Sequence, residues 1–101
     1  MIIDKEEILN KLKELKPIYE KEGLILLGLF GSYAKDEQTE FSDIDIVYKL
    51  NYKKFNSKYI GGFSKLLRIE KIKEDLENIF HKKIDLIPDT NKKILKDLIY
   101  V

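Results

Sequence analysis

Gly31-Ser32, Asp43, Asp45 and Asp85 are the residues of this chain whose types and spacing could do chemistry. Gly31-Ser32 closes an apolar run, ten residues follow, and Asp43-Ile44-Asp45 opens a second run in which polar and apolar positions alternate. In a strand, positions i and i+2 point to one face, so Asp43 and Asp45 stand side by side while Ile44 and Ile46 face the other way. Carboxylates placed like this repel, and no lysine is interleaved with them, so the pair is costly unless cations neutralise it. Mg²⁺ prefers carboxylate oxygens, and two such ions about 3.5–4 Å apart can clamp a phosphoryl group between nucleophile and leaving oxygen. The competing reading is an exposed face of an edge strand, where acidic residues discourage aggregation.

The Gly-Ser pair changes the weighting between those readings. It follows an apolar strand and precedes a short helical segment, Tyr33-Ala34-Lys35, so its backbone N–H groups can point outward at a helix N-terminus. That arrangement binds phosphate without a charged side chain; Gly31 lets the phosphate come close to the backbone, and Ser32 adds a hydroxyl donor. Asp85 lies inside the apolar run Ile84-Asp85-Leu86-Ile87. Buried there without a partner it would cost several kcal/mol or hold a proton, so it needs a cation, a proton-transfer role or an ion pair with a nearby lysine. Three aspartates and a triphosphate would put about seven negative charges in one cleft, of which two Mg²⁺ ions cancel four.

The combination is far more specific than its parts. Gly31-Ser32-x10-Asp43-x-Asp45 with a later Asp85 on a strand resembles the nucleotidyltransferase superfamily typified by DNA polymerase beta. The short chain looks like its minimal nucleotidyltransferases, a likeness carried by Leu29-Phe30-Gly31-Ser32-Tyr33-Ala34, Ser42-Asp43-Ile44-Asp45, Lys83-Ile84-Asp85-Leu86-Ile87 and the Ile99-Tyr100-Val101 ending. The resemblance implies that Gly31 and Ser32 hold the triphosphate of ATP. It implies that Asp43 and Asp45 ligate both metal ions, and that Asp85 completes the inner metal site and helps deprotonate the acceptor hydroxyl. The family usually has Arg-Gly where this chain has Lys35-Asp36. Asp tolerates the left-handed backbone that Gly would adopt, but Lys35 meets the phosphates as a point charge where Arg would offer a planar fork.

By the same resemblance the chain is a Mg²⁺-dependent enzyme that moves AMP from ATP to an acceptor hydroxyl and releases pyrophosphate. A domain of 101 residues has no second lobe to enclose an antibiotic or a primer, which points to a protein supplying the other half of the site. Minimal nucleotidyltransferases are commonly paired with helical HEPN-domain toxins, so the implied acceptor is a tyrosine of a HEPN ribonuclease and the implied role is antitoxin. The alternatives are the same fold acting on a small molecule or an RNA end, and an idle antitoxin that only masks its partner. Self-association and association with that partner are both compatible with the sequence.

These residues need a frame. Asp4 with Glu7 three positions on predicts a capped first helix, with Ile8, Leu12, Leu15 and Tyr19 as its buried stripe. Pro17 predicts a break or kink, with a second short helix over 17–22. Leu24 to Phe30 reads as a strand covered on both faces, and Gly28 within it as a point of close approach by a helix or ligand. Asp43 to Lys49 reads as a second strand. The lysines and aromatics from Tyr52 to Tyr59 read as a mobile solvated loop. Ser64 predicts the start of a long helix with Leu66, Ile69, Ile72, Leu76, Ile79 and Phe80 as its apolar face. His81 falls at that helix's C-terminus, a surface position. Lys83 to Ile87 reads as a third strand stopped by Pro88, and Asp89 or Thr90 as the start of a last helix carrying Ile94, Leu95 and Leu98. Tyr100 reads as core or interface packing. The expected fold is one α/β domain over residues 1–101, a small mixed sheet of about three to four strands packed with helices, similar to the polymerase-beta palm.

Composition bounds the rest. Hydrophobic residues make up 44% and charged residues 37%, with a formal net charge of +1, so no global field calls for nucleic acid or membrane as a partner. There is no cysteine, hence no disulfide or thiolate metal site. No signal-like start or long apolar span is apparent, which predicts a cytoplasmic protein. The Lys/Glu/Ile-rich bias, with Arg68 the only arginine, fits either a hyperthermophile or an AT-rich genome.

Overall fold

A computed structural model of the chain describes residues 3–90 and 92–101. The first helix, α1, runs Lys5–Glu20 and opens where Asp4 accepts a hydrogen bond from the Glu7 backbone N–H at 2.8 Å. A cap of this kind contributes about 1 kcal/mol. Helix α1 does not end at Pro17, which is exposed on its outer side. The buried stripe Ile8, Leu12, Leu15 and Tyr19 continues across the proline, and its packing outweighs the one missing backbone bond.

Strand β1 is Leu24–Phe30, followed by a single helical turn α2, Gly31–Ala34, and strand β2, Ile44–Leu50. The segment expected to be a mobile loop instead folds as helix α3, Tyr52–Lys58, capped by the Asn51 side chain and anchored by Phe55, which is fully buried. Helix α4 spans Gly62–Phe80 and is preceded by Gly61 rather than capped by Ser64. Its buried residues are Ile72, Leu76 and Phe80; Leu66, expected on this face, is 59% exposed. His81 closes α4 in a left-handed conformation at φ 54°, exposed as expected. Strand β3, Ile84–Pro88, follows.

The expected last helix is absent among the described residues, and Asn91, within it, lies outside them. A short 3₁₀ turn, Ile94–Asp97, leads into strand β4, Ile99–Tyr100. Ile99 reaches the core from this strand, so the apolar spacing that looked helical belongs to a turn and a sheet edge.

The sheet order is β3-β2-β1-β4, with β2 and β3 parallel and the other pairs antiparallel. Alternation sorts the strand residues by face. Leu24, Leu26, Leu29, Ile44, Ile46, Tyr48 and Ile84 face the helices and form the core with the α1 stripe, Phe55, Ile72 and Leu76. On the other face Ile25, Phe30, Asp45 and Ile87 are only partly buried, although Val47 there is fully buried. Strand β1 is therefore covered on one face, not both. Gly28 does mark a close approach, but by the neighbouring strand: a Cβ there would stand 2.8 Å from the carbonyl carbon of Ile99 and 3.0 Å from the Tyr100 Cα. No helix among the described residues is long and apolar enough to cross a membrane.

Candidate active site

Register brings the acids together. Asp45 is the cross-strand partner of Asp85 on parallel strands, and of Phe30 on the antiparallel side. Residues paired in this way share a face, so both carboxylates rise from the side of the sheet opposite Ile44, Ile46 and Ile84. Asp43 sits just before β2 and two residues from Asp45, at the same rim. Phe30 leads directly into α2, which delivers Gly31 and Ser32 to this point. The five residues singled out by type and spacing thus meet at one end of three neighbouring strands.

Gly31 is essential to that meeting. Its φ is +76°, and a Cβ there would lie 3.1 Å from the Asp45 Cγ and closer still to Oδ2. The absent side chain makes room for the Asp45 carboxylate as well as for a ligand. The first N–H groups of a helical turn have no partner within it, and the Ser32 hydroxyl makes no hydrogen bond among the described residues. Gly31, which opens this turn, stands against the Asp45 carboxylate. Behind it Tyr33 is fully buried and pins α2 to the core, while the Lys82 ammonium lies 6.0 Å from the centre of its ring. Residue types alone flagged the Gly-Ser pair but not Tyr33, whose signal is only its place one residue inside the turn.

The electrostatics are those of an uncompensated acidic cluster. Burial, then the charge of Asp85, then that of Asp43, push the Asp45 carboxyl above its usual range. Asp85 is exposed, on the edge strand, so the expectation that it is buried in an apolar strand does not hold. None of the three acids has an ion pair or a hydrogen-bond partner among the described residues. The lysine alternative for Asp85 therefore fails. Lys82, three residues before it, donates instead to the Glu40 carbonyl at 2.8 Å. The donor set is hard, anionic and free, which fits a divalent cation. The side chains are not yet gathered into a shell, since no group of three or more His, Cys, Asp or Glu among the described residues converges closely enough to hold a metal ion.

Lys35 is exposed just beyond α2, without a partner among the described residues. Asp36 takes the left-handed conformation at φ 58°, as a residue in the place of a glycine must. Its Oδ2 accepts a hydrogen bond from the Lys5 ammonium of α1 at 2.8 Å, a long-range tie that residue spacing did not suggest. At the opposite end of the sheet, Arg68 grips Glu22 through two hydrogen bonds of 2.7 Å, and the Tyr59 hydroxyl donates to the same carboxylate. That network is structural and remote from the acids.

The profile of the family described as "Nucleotidyltransferase domain" matches residues 5–100. "Putative protein adenylyltransferase MJ1379" of Methanocaldococcus jannaschii is 40% identical over 103 aligned positions, covering 95% of this chain and 93% of that protein. "Protein adenylyltransferase MntA" of Thermococcus cleftensis is 29% identical over 92 positions, covering 85% and 83%. In shape the chain is similar to a solved structure named "Structure of putative minimal nucleotidyltransferase", with a TM-score of 0.74, 19% identity, and coverage of 98% and 97%.

Proposed function

The chain belongs to the nucleotidyltransferase family, as a minimal nucleotidyltransferase, and is an enzyme of that type; from this premise we propose that it transfers AMP from ATP to a hydroxyl on a protein. The observation that carries the reading is the register pairing of Asp45 with Asp85 beside Gly31-Ser32, with Asp43 at the same rim and no cation of the described residues among them. Ser32 and the first N–H groups of α2 bind phosphate oxygens, and Lys35 adds a point charge at their outer edge. Asp43, Asp45 and Asp85 would hold Mg²⁺, with the first two shared between two ions. Bound there, the ions supply charge neutralisation of the triphosphate and of the leaving pyrophosphate.

The acceptor oxygen attacks the α-phosphorus, the bond from that phosphorus to the bridging oxygen of the β-phosphate breaks, and pyrophosphate leaves. Asp85, exposed at the sheet edge, is open to the acceptor and takes its proton. Asp45, half-buried and flanked by like charges, stays in place as the central ligand.

A protein acceptor fits the relatives named protein adenylyltransferases. It also fits a site at the rim of the sheet with no second lobe over it among the described residues. The acceptor we favour is a tyrosine of a HEPN-domain toxin, which would make the chain a cytoplasmic antitoxin that silences the toxin by modification. The test is incubation of the purified chain with ATP, Mg²⁺ and a folded HEPN partner, read by intact mass. Addition of AMP to the partner is expected. Asp85→Asn keeps the fold and triphosphate binding and abolishes transfer. A folded pair that shows no addition with any nucleoside triphosphate overturns the reading.

A further inference from the structure

The turn that carries Ser32 ends on a charge where a neutral residue is the rule. Three backbone hydrogen bonds close it: the Lys35 N–H donates to the Gly31 carbonyl at 3.2 Å, the Asp36 N–H to that of Tyr33 at 3.4 Å, and the Glu37 N–H to that of Ser32 at 2.9 Å. The last two bonds make a Schellman ending, with Asp36 as its left-handed residue at φ 58°. Glycine usually fills that position and asparagine sometimes does, and neither brings a charge. Here the residue carries a carboxylate, exposed and directly after Lys35.

An anion at this place works against phosphate binding. The first N–H groups of α2 and the Ser32 hydroxyl attract phosphate oxygens, and Lys35 is the cation that follows them in the chain. Left to itself, the Asp36 carboxylate repels a triphosphate held on the turn. It also competes with that triphosphate for the Lys35 ammonium.

Helix α1 answers that charge. Lys5, at its first position, reaches the Asp36 Oδ2 at 2.8 Å, from 31 residues earlier in the chain. The Lys5 side chain is 25% exposed against 64% for Asp36, so the ammonium is the more firmly seated of the two. Pairs as open as this one add little to stability. Its selectivity is more telling. Among the described residues Glu37, Glu40, Asp43 and Asp45 have no ion-pair partner, so Asp36 alone is neutralised in the acidic stretch from 36 to 45. The acid that is neutralised is the one beside Lys35, and Lys35 itself has no ion-pair partner among the described residues.

We propose that Lys5 is a positioning residue for nucleotide binding: by holding the Asp36 carboxylate against helix α1, it keeps Lys35 free to meet the phosphates. This role rests on the reading of α2 and Lys35 as the phosphate site, and it is independent of the acceptor the enzyme modifies.

The test is calorimetric binding of ATP and of inorganic tripolyphosphate, each with Mg²⁺, to the full chain at low salt. Lys5→Met should weaken both ligands about threefold to tenfold, the effect of one uncompensated charge near the phosphates. The loss should shrink at about 0.5 M salt, where screening hides that charge. Lys5→Arg should bind as the parent does. Asp36→Gly should bind at least as tightly as the parent, and adding Lys5→Met to it should change nothing further, since no carboxylate is left to release. A Lys5→Met loss that persists in the Asp36→Gly background marks a merely structural lysine and overturns the proposal. Parent-like binding by Lys5→Met overturns it too, as does weaker binding by Asp36→Gly alone; in both cases the phosphate site itself stands. A parent chain that binds neither ligand refutes the phosphate site, and this role of Lys5 with it.

Discussion

Replacing Gly31 with alanine should separate the stability of this fold from its chemistry. The left-handed φ of +76° costs a residue with a Cβ about 1–2 kcal/mol. Against this stands about 0.4–1 kcal/mol gained because alanine restricts the unfolded chain. The new methyl also collides with the Asp45 carboxylate, 3.1 Å from its Cγ and nearer to Oδ2. That carboxylate is the end of a rotatable side chain, so it swings aside at an off-rotamer cost of about 0.5–1.5 kcal/mol. The net loss is about 1–2 kcal/mol, and at about 4–8 °C per kcal/mol for a domain of this size the protein melts lower but remains folded at 25 °C. Activity suffers far more. Displacing a central ligand by about 1 Å can cost about 100-fold in turnover, since the reacting groups no longer align.

The assay is thermal melting paired with AMP transfer, run on Gly31→Ala, Asp45→Ala and the double variant. In the Asp45→Ala background the two nearest atoms are gone and nothing stands closer than the residue 45 Cβ at 3.5 Å, an ordinary contact, so the backbone strain dominates. The double-mutant cycle should therefore show coupling of about 1 kcal/mol between neighbours that independent sites would not show. Stabilities that add within about 0.5 kcal/mol would refute the steric argument. Near-normal transfer by Gly31→Ala would refute the placement of Asp45 at the reacting centre.

Three further outcomes follow from named contacts. Asp45 holds its proton more tightly folded than unfolded, because of burial and the charges of Asp85 and Asp43. Metal-free stability should therefore fall as pH climbs from the ordinary carboxylate range through its raised value, and stay lower above it. In chelator Asp45→Asn should flatten this slope and melt higher than the parent at neutral pH, while Mg²⁺ should raise the melting temperature of the parent only. Glu22 shows the opposite sign: the Arg68 guanidinium holds its carboxyl below the usual range, so its contribution is full above that range and lost as acid titration passes the lowered value. Arg68→Met should cost about 1.5–3 kcal/mol in urea melts at neutral pH, and less in acid. Gly28→Ala would drive a methyl into the β4 backbone, 2.8 Å from the Ile99 carbonyl carbon. A strand backbone cannot rotate away as a carboxylate can, so about 1–3 kcal/mol should be lost, with faster amide exchange in Ile99 and Tyr100.

The contrast between Gly31 and Gly28 shows where residue order stops being informative. Both invited the reading of a ligand or a close approach. Only the folded chain identifies the neighbour: the Asp45 carboxylate at Gly31 and the strand β4 at Gly28. Asp36 was legible because left-handed backbone is a local property of one residue, and it takes φ 58°; its tie to Lys5 of α1 was not legible. Pro17 was misleading for the converse reason. A local break signal yielded to the packing of Leu15 and Tyr19, which no window around the proline reveals. The stretch from Tyr52 to Lys58 looked like solvated loop because Phe55 is its single buried anchor, with lysines around it.

The sequence by itself singled out the residues whose types could do chemistry, and their order along the chain. Short-range rules were enough for that: a glycine that frees the backbone, an i/i+2 alternation that puts Asp43 and Asp45 on one face, an acid set into an apolar run. What only the tertiary structure decided was the pairing. Asp45 meets Asp85 through the register of two strands separated by two helices, and that register is set by the packing of Ile44, Ile46 and Ile84 against a core assembled from five other elements. Distance along the chain has no bearing on such a contact, because cross-strand neighbours are chosen by which faces can be buried together. The same packing left Asp85 exposed at the sheet edge, where it can face an acceptor.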